Sequence, residues 1–147
     1  MAYKIKFTTG GYWHGGLWTV EIFIDDNNCC KIIQGQAKSR NISDRQLIEL
    51  PVDEEDCYYF RFDHEETYSV KIPDTMIFEL TYLDIFSWKS HYENPNILDG
   101  EQWALAFTDG SRTYRGIGHN DYPENWREFR AWFNKILKKA GNRWINI

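Results

Sequence analysis

The sequence predicts an α+β fold, a mostly antiparallel sheet of about seven strands built from hairpins, with one amphipathic C-terminal helix packed on one face. Three observations carry that prediction. Short stretches of alternating apolar and polar residues, separated by polar turns, fill the first three quarters of the chain. A helical apolar stripe with its own start and stop signals follows them. The composition of the 147 residues, 42% apolar, 17% aromatic and with a net charge of −5, is that of a globular chain. One domain over residues 1–147 is expected at this length, large enough for a core without disulfides or metal.

Each element has a local cause. The N-terminus alternates from Tyr3 to Phe7 and lacks an apolar core behind a basic start, so no secretory signal is read. Residues 17–24 alternate around aromatic and β-branched side chains, Asp25-Asp26-Asn27-Asn28 turns, and residues 29–34 return. Residues 57–62 and 67–72 flank Asp63-His64-Glu65-Glu66, a polar run predicted to be a hairpin tip. Residues 76–82 read as a further strand, and 83–88 either extend it or form an aromatic cover. Residues 35–46 and 86–100 read as irregular. Residues 102–107 and 112–116 flank Asp109-Gly110, a dipeptide suited to a primed turn. In the helix, Trp126, Phe129, Phe133, Ile136 and Leu137 share one face. Asp121 and Glu124 have capping-box spacing, Pro123 is placed in the first turn, Lys138 and Lys139 fall in the last, and Gly141 follows.

Leu98-Asp99-Gly100-Glu101-Gln102-Trp103 and Gly118-His119-Asn120-Asp121-Tyr122-Pro123-Glu124-Asn125-Trp126-Arg127-Glu128-Phe129 form a distinctive string. Residues 98–136 resemble the C-termini of small, uncharacterised bacterial and phage-encoded proteins with a DGxQW strand and a GxNxYPENWxxF lead into a helix. The resemblance implies a strand–strand–helix unit and carries no activity. Backbone chemistry accounts for the string: Gly116 and Gly118 let a strand bend, Asn120 or Asp121 caps, Pro123 presets φ, and Tyr122 meets Trp126.

Two functional readings follow. In the first, the chain is a non-enzymatic protein-interaction module, of the inhibitor or immunity type. It docks a basic protein through acidic segments (Asp53, Glu54, Glu55, Asp56, Glu65, Glu66) and exposed aromatics (Tyr12, Trp13) in a glycine-flanked loop. Residues 111–147 hold eight basic and three acidic side chains, a charge of +5, against −10 for the rest, an asymmetry able to steer a partner. In the second, a small hydrolase or nuclease-like enzyme uses His119 with Asp121, Asp99 and Glu101 as acid/base groups. No cofactor is predicted. Cys29, Cys30, Cys57 and His64 lack zinc-finger spacing, so no metal is predicted either. Odd, adjacent cysteines point to reduced thiols and a cytoplasmic location. No apolar run reaches the ~20 residues of a membrane helix, and the negative total argues against nucleic acid. The sequence fixes no oligomeric state.

Overall fold

The computed structural model describes residues 2–11, 16–37, 62–96 and 101–141. In chain order the elements are β1 (Tyr3–Gly11), β2 (Gly16–Ile24), β3 (Cys29–Ala37), β4 (Phe62–Lys71), α1 (Asp74–Tyr82), a 3₁₀ turn (Ile85–Ser87), β5 (His91–Glu93), β6 (Glu101–Thr108), β7 (Thr113–His119) and α2 (Trp126–Lys139). The strands form one seven-stranded sheet in the order β4-β3-β2-β1-β6-β7-β5. Every neighbouring pair is antiparallel except β5 with β7. The α+β class and the mostly antiparallel sheet therefore hold.

Turn chemistry sets the register. Asp25 Oδ1 accepts the N–H groups of Asn27 and Cys29 at 2.8 and 2.9 Å, and Asn28 takes the left-handed conformation at φ 61° that closes the β2–β3 hairpin. Between β6 and β7, the Asp109 N–H meets the Arg112 carbonyl, so Gly110 and Ser111 form the turn and Gly110 carries φ 96°. The predicted Asp-Gly centre is thus displaced by one residue. Asp109 instead folds its carboxylate onto the N–H groups of Ser111 and Arg112 at 2.9 and 2.8 Å.

Beyond the stretches read as irregular, where 35–46 opens in β3 and 86–100 holds part of the 3₁₀ turn and β5, three local expectations need correction. Residues 76–82 are helical: Met76, Leu80 and Leu83 are buried at i, i+4 and i+7, while Phe78 and Tyr82 face outward. Residues 63–66 are no hairpin tip but part of β4, with Gly35 opposite Glu65 and Gln34 opposite Glu66. Among the described strands β4 is outermost, and charged residues in such a position discourage pairing with another chain. The third correction concerns α2, which begins at Trp126 after an Asn125 N-cap whose side chain makes no capping bond. Pro123 lies before it, accepting the Trp126 N–H with its carbonyl. Gly141, at φ 78°, ends the helix as predicted.

The core lies between the sheet and the helices. Phe129 and Phe133 sit 5.6 and 5.4 Å, ring to ring, from Phe7 of β1. Trp126 gathers Trp103 at 4.6 Å, Phe129 at 4.9 Å and Tyr122 at 5.4 Å, fulfilling the expected Tyr122–Trp126 contact. Phe86 within the 3₁₀ turn and Trp88 just after it cover Phe107 and Tyr114, which is the aromatic cover foreseen as one outcome for residues 83–88. The other sheet face is buried in its middle. Lys6 and Glu21 pair there at 3.1 Å, nearly inaccessible, beside Thr8, Thr19, Ala104 and Ala106.

Candidate functional site

The string from Glu101 to Trp126 converges at one end of the sheet. Trp103 Nε1 donates to the Asp121 carbonyl at 2.9 Å, and the indole lies over Gly118, its partner on β7. Asn120, left-handed at φ 55°, accepts the Glu101 N–H on Oδ1 at 2.9 Å and donates its own N–H to the Glu101 carbonyl. Gly116 makes room for the Tyr114 side chain, whose hydroxyl donates to the Lys89 carbonyl at 2.7 Å. Neither Gly116 nor Gly118 has a positive φ, and β7 runs unbroken through both. They admit neighbouring rings rather than bending the strand.

The proposed acid/base set is divided by this geometry. His119 pairs with Gln102, so the pleat sets it on the face opposite Trp103, whereas Glu101 shares Trp103's face. Glu101 accepts bonds from the Thr9 hydroxyl at 2.9 Å and the Tyr122 hydroxyl at 3.1 Å. Burial pushes the Tyr122 phenol up to about 12, with the Glu101 charge adding to the effect. Asp121 Oδ1 accepts the Tyr122 N–H at 3.0 Å. Asp99 lies outside the described residues. The His119 ring lies 6.4 Å, between centroids, from that of His91 of β5.

Of the predicted contact residues, Tyr12, Trp13, Asp53, Glu54, Glu55 and Asp56 lie outside the described residues, and Glu65 and Glu66 lie in β4. Cys29 and Cys30 are free thiols, one exposed and one buried. Burial, helped by the negative charge of Cys29 and Asp25, raises the Cys30 thiol to about 12. Among the described residues no three His, Cys, Asp or Glu side chains gather to hold a metal ion, and no helix is long and apolar enough to cross a membrane.

A groove of about 580 Å³ lies between α1 and α2, a surface that sequence reasoning missed. Tyr82, Leu83, Ala131 and Trp132 line it together with Glu79, Glu128 and Lys135. Its walls are pinned. Trp132 Nε1 donates to the Met76 carbonyl at 2.8 Å, Asn125 Nδ2 donates to the Leu83 carbonyl, and Asn125 Oδ1 accepts Trp88 Nε1 at 2.7 Å. Lys135 and Glu79 meet across it at 3.2 Å. Phe78 and Tyr82, one turn apart on α1, are 61% and 85% exposed, the only large hydrophobic side chains so exposed among the described residues. Reading residues 76–82 as a strand hid this pair, because strand alternation puts Phe78 and Tyr82 on one face with Leu80. Comparison of the chain with family models and with curated proteins finds no match.

Proposed function

We propose that the protein is a non-enzymatic interaction module, of the inhibitor or immunity type, that docks a basic protein partner. Its contact surface centres on the α1–α2 groove. The observation that carries this reading is the exposure of Phe78 and Tyr82 beside a groove with a rigid, hydrogen-bonded frame. Aromatic side chains supply large contact area at low entropic cost, and their exposure in pairs marks binding surfaces. Glu128 stands exposed on one wall, and Glu79 shares its charge with Lys135, which leaves the groove slightly negative. The inhibitor or immunity type is offered by analogy alone, since the resemblance of residues 98–136 to phage-encoded and bacterial proteins carries no activity.

The second reading, a small hydrolase or nuclease-like enzyme using His119, has less behind it: Glu101, on the opposite sheet face, is engaged by Thr9 and Tyr122, and Asp121 Oδ1 accepts the Tyr122 N–H. Site-specific photocrosslinking tests the proposal. A photoreactive residue in place of Tyr82 is expected to trap one protein with a basic surface from the native host, and the same residue in place of Asp26 to trap none. Equal capture from both positions, or from neither, overturns the proposal.

A further inference from the structure

A basic cleft sits at the end of the sheet remote from His119. Lys4 on β1 stands opposite Phe23 on β2, Phe23 opposite Lys31 on β3, and Lys31 opposite Ser69 on β4. Residues two apart on a strand share a face, so Lys71 joins this row diagonally from Lys31. These side chains border a cleft of about 480 Å³, within the size range of small-molecule sites.

The charges of the cleft are unbalanced. Lys4 Nζ lies 5.8 Å from the centre of the Phe23 ring. The Lys31 and Lys71 side chains are exposed and, among the described residues, form no hydrogen bond or ion pair. The one carboxylate on the lining is Asp25, whose Oδ1 is occupied by the Asn27 and Cys29 N–H groups. Like charges side by side on a sheet repel. Protection of a sheet edge accounts for Lys71 on β4, outermost among the described strands, but not for Lys4 and Lys31, whose strands are paired on both sides. At physiological salt the screening length of about 8 Å separates such a patch from distant acidic residues, so the net negative charge of the chain does not cancel it.

We propose that this cleft binds a small phosphorylated ligand with a planar ring, its phosphates on Lys31, Lys71 and the Ser69 hydroxyl and its ring against Phe23. Ammonium groups give charge-assisted bonds to phosphate oxygens, and an aromatic floor accepts any planar base. The site is separate from the α1–α2 groove and stands or falls independently of it.

Calorimetric titration of the full chain with ATP, inorganic pyrophosphate and adenosine tests this at physiological salt. ATP is expected to bind, pyrophosphate about tenfold more weakly, and adenosine more weakly still. Lys31→Glu and Lys71→Glu each weaken ATP binding about tenfold. Phe23→Leu weakens ATP binding but leaves pyrophosphate unchanged, and Lys138→Glu on α2 changes neither. Because Cys29 lines the cleft and is exposed, ATP also slows its alkylation. Absence of ATP binding at millimolar concentration overturns the proposal, as does ATP binding that survives both lysine reversals. Equal affinity for ATP and pyrophosphate overturns the ring contact, and much tighter binding of a single-stranded oligonucleotide overturns the small-ligand assignment.

Discussion

Trp103 and Gly118 face each other across β6 and β7, and the indole fills the space that any side chain at position 118 would need. A Cβ built on Gly118 would lie 2.0 Å from Trp103 Nε1 and 2.7 Å from the Asp121 carbonyl. The same Nε1–carbonyl bond fixes the chain leaving β7 on its way to α2. Gly118→Ala is therefore expected to lower stability by about 3 kcal/mol, through loss of that bond and displacement of a packed ring. Urea denaturation checks it. A loss below about 0.5 kcal/mol, the level of an ordinary surface change, contradicts the packing role.

Lys6 and Glu21 make the second prediction. Both are buried, and removal of one partner deletes an ion pair that is shielded from water. Lys6→Met is expected to cost about 3–5 kcal/mol, and Lys6→Met with Glu21→Leu to recover part of that loss. Equilibrium unfolding of both variants measures the difference. A double variant less stable than Lys6→Met would show that the pair is not the source of the penalty.

The third prediction concerns acid. The Arg112 N–H, followed by the Ser111 N–H, holds the Asp109 carboxyl down at about 2, below its ordinary value of 3.8. A depressed folded pKa gives stability that is present above the unfolded pKa and lost as pH falls through the folded one. The stability difference between wild type and Asp109→Asn is therefore expected to be constant above about pH 5 and to shrink between about pH 4 and 2. Denaturation curves at each pH test this; a difference that persists unchanged to pH 2 contradicts it.

The sheet was legible where local chemistry and tertiary structure agree. Asp25-Asp26-Asn27-Asn28 and the Gly110 turn name two hairpins, and the Trp126 stripe with Gly141 names the last helix. Two segments misled for identifiable reasons. Residues 76–82 mix aromatic, β-branched and straight-chain side chains, and so short a run fits both periods; only tertiary packing, which buries Met76 and Leu80 in the core, selects the helix. Residues 63–66 carry no Gly, Pro or Asn, and their charges reflect an edge strand rather than a turn. The candidate surfaces were harder to read. The Lys4–Phe23–Lys31 row joins residues from three strands that only register brings together, and the α1–α2 groove depends on Asn125 reaching back to Leu83.

Cysteine reactivity gives a fourth prediction. With Cys57→Ser, maleimide is expected to modify Cys29 in the native protein within minutes and to reach Cys30 only on unfolding, because burial keeps that thiol protonated. Mass spectrometry of the labelled peptides separates the two sites by their order of modification. Simultaneous native labelling of both would contradict the burial of Cys30.

The division of labour between a structural C-terminal string and an interacting α1–α2 surface is tested most directly by one comparison. Partner retention by Phe78→Ser/Tyr82→Ser and by His119→Ala is measured on the immobilised protein, with Tm recorded for each. The predicted result is loss of retention for the aromatic pair at an unchanged Tm, and full retention for His119→Ala. Retention that survives loss of both aromatic side chains but disappears with the imidazole would contradict the account.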